Sequence, residues 1–123
     1  MTAASYSDNS LQIDIQQISA ELRIRPEIYM KIVTNFAMSL SGKMKIISEA
    51  ITGDNRDQLR MILHEIRGTA GNLRLRNVSS AEAVMHDAVK AGANAVILMQ
   101  LFQKLEEEVL RLQQCVEKLN IQP

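Results

Sequence analysis

Apolar residues recur at intervals of three and four along almost the whole chain, and this spacing constrains the fold more than any other feature. Leu11, Ile15, Ile18 and Leu22 open the pattern. Ile28, Ile32, Phe36, Leu40, Met44, Ile47 and Ile51 form a second stripe, which Gly42 interrupts without ending. Leu59, Ile62, Ile66, Ala70 and Leu73 form a third. Val78, Ala81, Met85 and Val89 make a shorter fourth, and Leu98, Leu101, Leu105, Val109, Leu112, Val116 and Leu119 a long fifth. Each stripe predicts one buried face of an amphipathic helix.

The breaks between stripes are helix punctuation. Arg25-Pro26 ends the first helix and offers proline to the first turn of the next. Gly53-Asp54-Asn55 reads as a stop followed by an N-cap, so the third helix is expected from about Arg56 to Leu75. Asn77 and Ser79-Ser80 predict the next connection, Ala91-Gly92 closes the fourth helix, and the fifth starts near Asn94. Long amphipathic helices with short links fold back on one another. The expected fold is all-α: an antiparallel up-and-down four-helix bundle over residues 11–123, capped by the short first helix. Residues 1–10, small and polar, are expected to form a flexible arm.

Composition agrees and removes several function classes. With 123 residues the chain is one domain, and 46% hydrophobic against 23% charged residues argues against disorder. Five Gly, two Pro and 3% aromatics are too few for a sandwich or barrel. Fourteen basic residues balance fourteen acidic ones, so no net charge draws the chain to nucleic acid or anionic lipid. Residues 1–10 lack the features of a signal peptide, and the charge-free stretch Ala91 to Gln103 is too short to span a bilayer. A lone cysteine, Cys115, fits a reducing compartment, and a cytoplasmic protein is expected.

The third helix is the informative one. At about 100° per residue, with His64 at zero, its apolar stripe falls between roughly 160° and 240°. His64 is therefore expected to face outward from mid-helix. Arg60, Met61 and Arg67 lie within about 60° of it, and Gly68 and Gly71 within about 40°. Each glycine inside a helix costs about 0.8–1 kcal/mol relative to Ala. The absence of side chains there admits a partner backbone or a phosphoryl group close to the imidazole, and arginine supplies donors and charge for phosphate. A loop over the same residues, with Gly68 ending a shorter helix, is the other reading. The core spacing that runs on through Ile66, Ala70 and Leu73 favours the helix.

The segment His64-Glu65-Ile66-Arg67-Gly68-Thr69-Ala70-Gly71-Asn72-Leu73 resembles the signature of histidine-containing phosphotransfer (HPt) domains. The order of short, long, His-bearing, shorter and long helices resembles that family from about Leu11 to Leu119. The resemblance implies that His64 accepts a phosphoryl group from the aspartate of one response-regulator receiver domain and passes it to another. It implies that Arg67, where the family usually has Lys, stabilises phosphate charge, and that Gly68 leaves room for the receiver. Arg74 stands where the family usually has Gly, a departure that alters the helix end or adds a basic partner contact.

The family often places Gln where this chain has His86, so the resemblance implies a hydrogen bond from His86 to the acceptor ring. An ordinary surface histidine is the alternative. Arg60, Met61, Gly68, Gly71 and Arg74 are the expected partner-facing residues. The implied partners are receiver domains and a hybrid sensor kinase, with Mg²⁺ brought by the receiver, no cofactor of the chain's own, and a monomeric carrier.

The residues agree with that chemistry. A neutral imidazole is a nucleophile, and phosphoryl transfer is mainly positioning and charge stabilisation. Neither GxxxxGK[ST] nor GxGxxG occurs, so autophosphorylation from ATP, and enzyme activity with it, is not expected. A zinc site is not expected either: His64-Glu65 begins like HExxH, but the fifth position is Gly68. The remaining alternative is a helical adaptor that binds a partner without phosphate chemistry. The methionines read as core filler except Met61, which is expected beside His64 as an apolar contact.

Overall fold

The computed structural model describes residues 11–121, and the expected arm at 1–10 lies outside them. Within that range the chain is all-helical: α1 (Ile15–Leu22), α2 (Pro26–Thr52), α3 (Arg56–Asn72), α4 (Arg76–Lys90) and α5 (Ala95–Ile121), with no strand among the described residues. The four longer helices form a closed ring of contacts, α2 on α3, α3 on α4, α4 on α5 and α5 on α2, while α1 packs on α2. Along α5, Gln113 donates to the Ala37 carbonyl and Asn120 to the Thr34 hydroxyl, so the register on α2 descends as α5 advances. No helix among the described residues is long and apolar enough to cross a membrane.

Starts follow local chemistry. Asp14 and Asn55 cap α1 and α3 by accepting from Gln17 N–H and Gln58 N–H. Pro26 occupies the first turn of α2 behind an extended Arg25. Helix α1 begins at Ile15, not Leu11, because Asp14 is the first residue able to cap it.

Ends share one device. The N–H groups of Ile24, Asn55, Leu75 and Ala93 each bond the carbonyl five residues back, on Ser19, Ala50, Ala70 and Ala88. In each case the residue just before the donor is left-handed: Arg23, Asp54, Arg74 and Gly92 have φ of 59°, 52°, 61° and 80°. The stop after α2 therefore turns at Asp54 and not at Gly53, whose φ is −87°.

The turn at Arg74 corrects the expected hairpin. It completes the reversal by Leu75, so α3 ends at Asn72 and α4 starts at Arg76, with Asn77, Ser79 and Ser80 inside its first turns. In α2 the first two stripe residues differ as well. Ile28 and Ile32 are 36% and 40% exposed, while Tyr29 and Val33 are fully buried. Steps of four residues advance about 400°, so a run of them drifts off the face that the 3.6-residue turn keeps inward. The buried phenol is satisfied, since Tyr29 donates to the Leu73 carbonyl at 2.7 Å. Met38, expected in the core, is 72% exposed.

Candidate functional site

The uninterrupted course of α3 through Gly68 and Gly71 settles the local geometry around His64. Leu59, Ile62, Ile66, Ala70 and Leu73 are all buried, as is Leu63 beside them. With that stripe inward, His64 is exposed on the outer face, nine residues into a 17-residue helix. It lines a shallow concavity with Asp57, Arg60, Met61 and Glu65 of α3 and His86 of α4. Met61 is 67% exposed and gives the rim an apolar edge. A Cβ built at Gly68 or Gly71 would meet nothing within 4 Å, so the surface above that stretch is open.

Arg60 and Arg74 were expected to face a partner and Arg67 to stabilise phosphate charge, and each has a different setting. Arg60 stays on the rim but is ion-paired with Asp57, one turn back. Arg67 reaches across to α4, where its Nε donates to Glu82 Oε1 at 2.9 Å, and its side chain remains 42% exposed. Arg74 is not brought to the concavity of His64: it lies beyond the end of α3, in the left-handed turn that follows Asn72. It faces α1 instead, 3.9 Å from Glu21. On the opposite flank, Lys43 of α2 reaches Glu65 at 3.5 Å.

His86 is brought to the same concavity as His64, yet no hydrogen bond joins the two rings. Its Nδ1 lies 3.4 Å from Glu82 Oε2, four residues earlier on α4. Glu82 is fully buried and thereby stands between Arg67 and His86, a residue absent from the sequence-based site. Its signal was present: Glu82 falls in phase with Val78, Met85 and Val89, a carboxylate on the buried face of its helix. No group of three or more His, Cys, Asp or Glu side chains among the described residues is placed to hold a metal ion.

The arrangement can present one accessible nucleophilic ring, the Arg67 guanidinium, whose Nη groups make no hydrogen bond among the described residues, and an open approach over two glycines. Compared with known proteins, the chain matches no family model, no curated protein and no solved structure.

Proposed function

We propose that this chain is a histidine phosphotransfer protein of a two-component phosphorelay, carrying a phosphoryl group on His64 between receiver-domain aspartates. The observation that carries the reading is the exposure of His64 at mid-α3, opposite a fully buried stripe, with the surface open over Gly68 and Gly71. In the transfer step a ring nitrogen of His64 attacks the phosphorus of the receiver's aspartyl phosphate. The N–P bond forms as the O–P bond breaks, and its electron pair leaves on the aspartate carboxylate. Arg67 supplies positive charge to the phosphoryl oxygens through its Nη groups, and the receiver supplies aspartate and Mg²⁺.

Met61 and the backbone over Gly68 form the docking face. The scaffold for this role is an antiparallel up-and-down bundle of α2 to α5 capped by α1. The descending register of α5 on α2 and the three-residue link between α3 and α4 support it.

The test is incubation with phosphorylated receiver domains and Mg²⁺. An acid-labile phosphoryl adduct is expected on the wild-type chain and absent from His64→Gln. Adduct retained in the variant assigns the acceptor elsewhere. Failure of every receiver from the source organism to transfer favours a bundle that only binds.

A further inference from the structure

Among the described residues Glu82 is the only fully buried charged side chain. A carboxylate without water costs several kcal/mol unless its oxygens are paired, so its two neighbours matter. Oε1 accepts from Arg67 Nε at 2.9 Å. Oε2 and His86 Nδ1 face one another at 3.4 Å, both shielded from solvent and neither hydrogen-bonded to anything else. Two lone pairs in that position would repel with no water to separate them. A proton on Nδ1, directed at Oε2, satisfies both atoms after a shift of a few tenths of an ångström. His86 Nε2 is then the lone-pair nitrogen, on a ring that lines the concavity of His64.

We propose that Glu82 is a positioning residue for phosphoryl transfer, fixing the tautomer of His86 and the placement of Arg67 beside the acceptor ring. This inference rests on the phosphotransfer reading of His64. The two rings share one concavity without a hydrogen bond between them in this structure. In the transfer step the acceptor ring turns its N–H to His86 Nε2, leaving the other His64 nitrogen free to attack. Positive charge develops on the His64 ring as the N–P bond forms. The hydrogen bond shares that charge with His86, and the Glu82 carboxylate opposes it. Glu82 itself touches neither phosphorus nor aspartate.

Nitrogen-resolved NMR of the imidazoles and phosphorylation of the folded protein by phosphoramidate test the proposal together. In the wild-type chain His86 is expected as the Nδ1–H tautomer, and an Nε2–H tautomer there overturns the proposal without any variant. In Glu82→Gln, Arg67 Nε still donates to the amide oxygen, so the amide NH₂ takes the place of Oε2 and faces Nδ1. The tautomer of His86 should invert, and phosphorylation of His64 should slow by about tenfold or more. A folded Glu82→Gln chain with tautomer and rate unchanged also overturns it. A wild-type chain with the Nδ1–H tautomer that forms no phosphoryl adduct removes the phosphotransfer reading, and the role of Glu82 with it. An adduct at an unchanged rate in Glu82→Gln removes the inference alone.

Discussion

At Gly68 and Gly71 the helix carries residues that weaken it, in a place where nothing in the fold requires them. Both have ordinary helical backbone, and a Cβ would meet open space at either. Gly68→Ala should therefore stabilise the protein by about 0.8–1 kcal/mol, and Gly71→Ala by less because the helix ends one residue later. Denaturant unfolding measures both. Gly68→Gln should also leave the fold intact, but its side chain rises over the approach to His64 and transfer from a receiver should slow. Unaffected transfer would mean that the glycine serves no docking. Under the proposed function these are positions where docking opposes stability, and the physical reason would be the room a second backbone needs.

Four helices end in the same hydrogen-bonded turn, and three of the four left-handed positions carry a side chain. Left-handed backbone costs an ordinary residue about 1 kcal/mol, which glycine does not incur. Arg74 is the informative case, because its only ion pair among the described residues is a long, exposed one to Glu21. Arg74→Gly should raise stability by about 0.5–1 kcal/mol, seen as a higher urea midpoint with an unchanged slope. It should leave phosphorylation at His64 unaltered, since Arg74 belongs to the junction of α1 with the α3–α4 turn. A loss of transfer in that variant would restore the partner contact that the sequence suggested.

Across the whole molecule, Tyr29 ties the start of α2 to the turn between α3 and α4. Burial pushes its phenol up from 10.0 to about 12, against a smaller opposing effect of the Arg74 charge. Between those values the unfolded chain gives up the phenol proton while the native chain keeps it. Stability therefore falls as pH rises from about 10 towards 12, by up to about 1.4 kcal/mol per pH unit. Burial raises the Cys115 thiol as well, which adds a loss of the same sign from about pH 9 upward. Urea unfolding between pH 8 and 11 should show this decline. Tyr29→Phe should be less stable at neutral pH by about 1–3 kcal/mol, because the Leu73 carbonyl loses its donor, yet decline less steeply in alkali. A slope identical to wild type would remove Tyr29 as the cause.

Local chemistry in the chain was enough to place the helices, most of the core and the outward face of α3. Apolar spacing is a property of consecutive residues, and Ile66, Ala70 and Leu73 share a face whatever lies opposite. The same geometry exposed His64, Met61 and the two glycines before any packing was known. Contacts between helices were decided elsewhere. Which of Ile28 or Tyr29 turns inward depends on where α2 meets its neighbours, and Arg74 faces α1 because the α3–α4 turn closes one residue before it reaches α4. Glu82 joins Arg67 and His86 only when α3 and α4 lie side by side, across a separation of fifteen residues in one direction and four in the other. A sequence records what each helix presents; the pairing of those presentations, and the burial of the Glu82 carboxylate between Arg67 and His86, exists only after the chain has folded.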